Sequence, residues 1–408
     1  MIHRSLRTAM LFGFLLVSGA VAGHWDAAPR PARYLYVWAS IGSDSAAGPD
    51  LMVVLDANPS SPHYGSILAA LTVDSAGRNA HHTEYVLPPR GPLVVSDYAA
   101  DKAFLIDFST PLSPRLSGRV AKVPHGRMLH SFARLPNGNV VATIQFGDSA
   151  IAGSPGGLAE FDRNGALLRS GWSRDSAFPA AHIRTYGLTV LPGADRAVTT
   201  SSPMSRETTA DVIQVWRLSD LTLLKTLTVA ADSDSVTQHR PFEVRALDDG
   251  TVMLNAYNCA FFHISGLTAT PRITRVLTLP ANDDAGCAVP VIIGHFMVMP
   301  IAYAHRYATI DIADPDHPVE VASLKTRSTF FPHWAAADPG SDRIVVTDQG
   351  DGVPVVKIVR LDRATGRLSW DPRFKDPVAA SPGVSFDRAA WPNGARGMAT
   401  PHGALFVP

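Results

Sequence analysis

Leu51-Met52-Val53-Val54-Leu55-Asp56 is an apolar run that stops on an aspartate and leaves through a segment carrying Pro59 and Pro62. Proline has no N–H to give a ladder, so the chain must quit one strand there and enter another. The pattern returns: Phe104-Leu105-Ile106-Asp107 leads to Pro111 and Pro114, and the run from Tyr307 to Asp311 leads to Pro315 and Pro318. Four further runs keep the same rhythm, Leu158 to Asp162, Val212 to Leu218, Ala260 to Ser265 and Val355 to Asp362. The spacing is roughly fifty residues, the length of a four-stranded blade with its loops. Seven copies predict an all-β chain folded as a seven-bladed β-propeller, a closed ring that hides its sheet edges. A pair of β-sandwiches would also need short strands, but gives no reason for so long a period or for the shared Asp-to-Pro exit.

The 32 prolines and 31 glycines are spread through the whole chain, and beyond the first 25 residues no long window keeps apolar residues at helical spacing. With 46% hydrophobic residues there is apolar surface for a core in every blade, and no linker interrupts the repeat. Thirty-six basic residues balance 36 acidic ones, and no basic run lies beyond the N-terminus, which argues against nucleic acid and anionic membranes as partners. At that terminus Arg4 and Arg7 precede an apolar stretch from Ala9 to Val17 and then Ser18-Gly19-Ala20-Val21-Ala22. This reads as a signal peptide over residues 1–22, leaving a single domain of residues 23–408 in the periplasm or outside the cell, with no membrane attachment. The apolar stretch is shorter than the roughly 20 residues a spanning helix needs. Cys259 and Cys287 are the two cysteines, and in an exported chain their expected state is a disulfide, with a thiolate metal pair or two free thiols as alternatives.

The sequence holds no Gly-x-Ser-x-Gly elbow, His-Glu-x-x-His, phosphate-binding loop or dinucleotide glycine fingerprint. What remains is histidine. His81-His82-Thr83 stands before a predicted strand around Leu93 to Ser96; His125 and His130 precede Val140 to Gln145; His305 precedes Tyr307; His333 follows Phe330-Phe331-Pro332; His402 lies near the C-terminus. Any one alone is most simply a core or surface residue. Loops at one end of a propeller converge on its channel, however, and imidazoles from several blades can meet there around one ion. Adjacent histidines on a strand face opposite ways, so His81 and His82 share an ion only if the backbone bends.

The stretch Asp50 to Leu68, followed by His81-His82-Thr83, resembles the opening of the selenium-binding protein / methanethiol oxidase family, in which Asp-x-x-Pro-x-Ser-Pro-x-Tyr-Gly precedes His-His-Thr/Ser. Gly138 to Val141, Phe146-Gly147-Asp148, Gly156 to Asp162, Ile213 to Trp216, Pro241 to Arg245 and Tyr307 to Pro318 are similar to further family segments in the same order. The resemblance implies a seven-bladed propeller with histidine-bound metal, copper foremost and zinc as an alternative, oxidising a small thiol such as methanethiol. Carried over residue by residue, it implies His81, His82, His130, His305 and His402 as ligands and Glu243 as an acceptor orienting a ligand imidazole. The second histidine of the family's His-Thr-x-His is replaced by Ala133, leaving His125 as a possible additional ligand. No cysteine precedes Cys259, so selenium binding through an N-terminal cysteine has no counterpart here. The other reading open to the sequence is a non-catalytic propeller binding a metal, a ligand or an exported partner.

Overall fold

The structure, a computed structural model, describes residues 30–408 apart from 44–45, 76–78, 152, 179–182, 205–209, 230–238, 281–285, 351 and 378–380. The signal-peptide reading of residues 1–22 lies outside the described residues. Seven antiparallel sheets form the blades of a propeller. From the channel outward, blade 2 runs Ala80–Thr83, Leu93–Asp97, Lys102–Asp107 and Arg115–Arg119. Blades 3 to 7 repeat this order, starting on the innermost strands Gly126–Arg134, Thr185–Leu191, Pro241–Ala246, Val291–Ile293 and Pro332–Ala337. Blade 1 joins both ends of the chain: the C-terminal strand Ala399–Val407 lies innermost and pairs with Tyr34–Ser43, followed outward by Ala46–Asp56 and Ile67–Thr72. Among the described residues the helical content is a single 3-10 turn, Pro192–Ala194.

All seven sequence runs are third strands, and the aspartates that end them have a local reason. Asp56, Asp107, Asp162, Asp311 and Asp362 each accept, through Oδ1, the backbone N–H two residues on, at 2.8 to 2.9 Å. These Asx turns send the chain into the outer strand. Apolar residues of the middle strands pack between neighbouring blades, as where Tyr36, Trp38, Met52 and Val54 of blade 1 meet Leu93, Val95, Phe104 and Ile106 of blade 2. Where blade 7 meets blade 1, buried Arg343 pairs with Asp338 at 2.6 Å and donates to the Ala32 carbonyl at 2.9 Å, tying blade 7 to the N-terminal segment. Cys259 and Cys287 form a disulfide with Cα atoms 5.2 Å apart. It fastens the turn before the third strand of blade 5 to the segment entering blade 6.

Candidate metal centre

The innermost strands pack side by side around the channel, and most carry the same irregularity. Ala80 and Thr83 pair with Asp97 and Val95, so three steps on one strand match two on its partner. The same extra residue occurs between Leu129 and Phe132, Pro332 and Ala335, and Pro401 and Ala404. These bulges fall at His81-His82, His130-Ser131, His333-Trp334 and His402-Gly403. Strict alternation would send His81 and His82 to opposite faces; the bulge re-aims one of them, and their rings stack at 4.7 Å between centroids and 26°. Gly403 lets the strands close up, since a Cβ there would stand 2.8 Å from Thr83 Cγ2 and 2.9 Å from its backbone N. In blades 4 and 5 the equivalent bulges present Tyr186 and Phe242. Blades 7, 1, 2 and 3 therefore give imidazoles to the channel, while blades 4, 5 and 6 give the apolar cluster Tyr186, Phe242 and Ala288.

Five imidazoles meet. His81 Nε2 lies 2.9 Å from His130 Nε2, and His333 Nε2 lies 3.0 Å from His402 Nε2. The rings of His81 and His402 are 4.1 Å apart, as are those of His82 and His130. One nitrogen from each of His81, His82 and His402 falls within 4.8 Å of the others. His81 Nδ1, His82 Nε2 and His402 Nδ1 are buried with no hydrogen-bond partner in the protein. Burial, reinforced by the neighbouring imidazoles, holds His81, His82 and His402 well below the ordinary histidine range. Burial also lowers His130 to about 3 and His333, which keeps one edge on the cavity wall, to about 4. At neutral pH all five are uncharged and offer lone pairs. An all-nitrogen set with orphaned donors fits a borderline transition ion, copper or zinc, better than a hard oxygen-seeking one.

Ser131 orients the rings. Its Oγ lies 2.9 Å from His130 Nδ1 and 3.4 Å from His82 Nδ1, and its N–H donates to Thr143 Oγ1 at 2.9 Å. Tyr85 stacks on Trp334 at 5.3 Å and donates to Glu243 Oε2 at 2.8 Å.

Three expected site residues are placed elsewhere. His305 sits in the turn between two strands of blade 6, its Nδ1 3.1 Å from the Phe330 carbonyl oxygen and its ring against Phe331, and His333 stands in the channel instead. His125 is exposed beside Asp148, at 3.1 Å. Glu243 touches no imidazole; it binds Tyr85 and, at 2.7 Å, Arg245 Nη1. Ala133 packs in the interface of blades 3 and 4. His333 is among the histidines singled out from the sequence but not in the ligand set that the resemblance implies, and Ser131 carries no signal in the sequence.

Beside the cluster opens a cavity of about 780 Å3, with His81, His333 and His402 on one wall and Tyr186 and Phe242 on another.

No protein family and no curated protein matches the sequence. Among solved structures the chain is similar to a hypothetical selenium-binding protein from Sulfolobus tokodaii, at 16% identity over 92% of this chain and 93% of that one, with a TM-score of 0.74. It is also similar to a periplasmic gluconolactonase of Pseudomonas aeruginosa, at 14% identity over 92% and 99% of the two chains, TM-score 0.60. A putative 6-phosphogluconolactonase from Bacteroides uniformis aligns at 13% identity over 84% and 96%, TM-score 0.59. At these identities the likeness establishes the propeller fold.

Proposed function

We propose that this chain is an exported, metal-dependent oxidoreductase, with copper in the imidazole cluster and zinc as its competitor, acting on a small thiol. The observation that carries the reading is the convergence of five neutral imidazoles from four adjacent blades on one channel. Export is supported by the N-terminal segment and by the disulfide, which persists in oxidising compartments. The thiol is supported by the resemblance of Asp50 to Leu68 and His81-His82-Thr83 to the methanethiol oxidase family, and by the likeness to a hypothetical selenium-binding protein. A bound copper ion supplies affinity for the substrate sulfur as thiolate and a route for electrons to dioxygen; for methanethiol, the thiol, dioxygen and water become formaldehyde, hydrogen sulfide and hydrogen peroxide.

The chain's own residues set the conditions. Burial keeps protons off the imidazoles, so the lone pairs stay available below neutral pH. Tyr186 and Phe242 give the cavity beside the imidazoles an apolar surface for the carbon of a small sulfur compound. Ser131 holds His82 and His130 in one orientation. Second-layer partners of ligand imidazoles are worth about 10- to 100-fold in metal affinity, and Ser131→Ala is expected to weaken copper binding by that factor, with a lower thermal midpoint of the metal-free protein because buried His130 Nδ1 loses its partner. Chelator competition reads the constant; an affinity equal to the parent's removes Ser131 from the centre.

The test of function is reconstitution. Protein purified from the periplasm, stripped and reloaded with copper or zinc, is expected to retain copper in stoichiometric amount and to consume oxygen and release peroxide on methanethiol addition. The zinc form should not. Stoichiometric copper without oxygen uptake, or no retained metal, replaces the oxidase with a binding propeller.

A further inference from the structure

The cavity beside the imidazoles is far larger than methanethiol requires. At about 780 Å3 it falls in the range of pockets that enclose molecules of many heavy atoms. Its lining combines imidazoles, the apolar and aromatic side chains of Tyr186, Phe242, Tyr257 and Met204, the polar Asn79, Ser202 and Gln349, and Arg240, the one permanently charged side chain there among the described residues. No carboxylate lines it among the described residues. The Arg240 guanidinium lies over the Tyr257 ring at 5.9 Å. Its backbone is held at φ 54, a conformation non-glycine residues rarely adopt. That conformation is pinned from both sides, since the Arg240 N–H donates to Asp211 Oδ1 at 2.9 Å and the Arg240 carbonyl accepts from the Tyr257 N–H at 2.9 Å.

We propose that the substrate of this cavity is a thiol carrying a carboxylate or similar anionic group, with its sulfur directed to the imidazoles, its carbon body on Phe242 and Tyr257, and its anion paired with Arg240. The inference rests on the thiol-oxidase reading and adds the substrate class. Arg240 is thereby a specificity-determining residue, suited to the task because a guanidinium pairs bidentately with a planar anion.

The test uses the full chain loaded with copper as copper(I) and is read by calorimetry without oxygen, so that neither reduction of the metal by thiol nor turnover adds to the heat of binding. The probes are 3-mercaptopropionate and its neutral counterpart 1-propanethiol. An ion pair to an exposed guanidinium corresponds to about two- to fivefold in affinity, so the parent is expected to bind the anionic thiol more tightly by about that factor. Arg240→Gln should bring the ratio close to one, and Arg240→Lys should restore part of it. Equal affinity for the two thiols in the parent, or an undiminished ratio in Arg240→Gln, overturns the proposal. Oxygen uptake separates it from the broader reading: anion-selective binding without turnover sinks the oxidase and leaves the substrate class standing, while equal turnover of both thiols does the reverse.

Discussion

Replacing both His81 and His82 by alanine is expected to cost the protein more than about 100-fold in copper affinity, so that dialysis against a weak chelator leaves it essentially metal-free. The figure exceeds what loss of a second-layer partner alone brings, about 10- to 100-fold, because here two donors disappear from the nitrogens that already lie within 4.8 Å of one another. His402 would remain with His130 and His333, whose Nε2 atoms lean on the deleted His81 and on His402 itself. The decisive comparison is between His333→Ala and His305→Ala. The first removes an imidazole 3.0 Å from His402 Nε2; the second removes a ring that faces Phe330 and Phe331. Copper retention should fall in His333→Ala and stay at the parent's level in His305→Ala and His125→Ala. Loss of metal in His305→Ala, or parent-like binding in the double variant, would sink the centre described here. His81→Ala also orphans His130 Nε2 and both changes leave space in the packed channel, so the thermal midpoint is expected to fall and is measured beside copper retention, with His333→Ala and His305→Ala as the single-site comparison.

The blade count was legible because it rests on the third strands, where apolar runs end in Asx turns that use the same residue in copy after copy. The channel was only partly legible. Most first strands are bulged, and the distance from a channel residue to the aspartate ending the third strand changes from blade to blade, from 82 to 107, 130 to 162 and 333 to 362. With no fixed offset, spacing cannot single out the histidine that faces inward. His81, His82, His130, His305 and His402 all rest on matches to short family motifs, and for His305, which lies just before the strand Arg306–Asp311, that match falls in a turn while His333 occupies the channel. That strand is a third strand, and from the turn before it Tyr303 lines the cavity while the His305 ring lies against Phe331. Ser131 and the channel face of Tyr186 depend on bulges that no composition or period encodes.

The metal-free protein should lose stability as pH falls from about 6.5 toward 4. In the unfolded chain a histidine takes up a proton near pH 6.5, whereas burial holds His130 at about 3 and His333 at about 4 in the folded state. Between those limits the unfolded chain binds protons that the folded one refuses, so acid favours unfolding, and above pH 7 the contribution is fully present and constant. At 1.36 kcal/mol per pH unit each of these two groups costs about 2 kcal/mol at pH 5, and His81, His82 and His402 act in the same direction. Buried carboxyls oppose them. Asp50, raised to about 8 by burial and by Asp97, and Glu84 and Glu243, raised by burial, are protonated earlier in the folded state and gain stability over part of the same window. The histidine share is therefore isolated as a difference, measured as urea midpoints of the parent and of His130→Gln/His333→Gln at pH 7, 6 and 5. Relative to the parent, the variant should gain about 4 kcal/mol between pH 7 and pH 5. Parallel profiles would mean that these imidazoles are protonated as readily in the fold as in the open chain, and the neutral, lone-pair-bearing cluster on which metal binding depends would not exist.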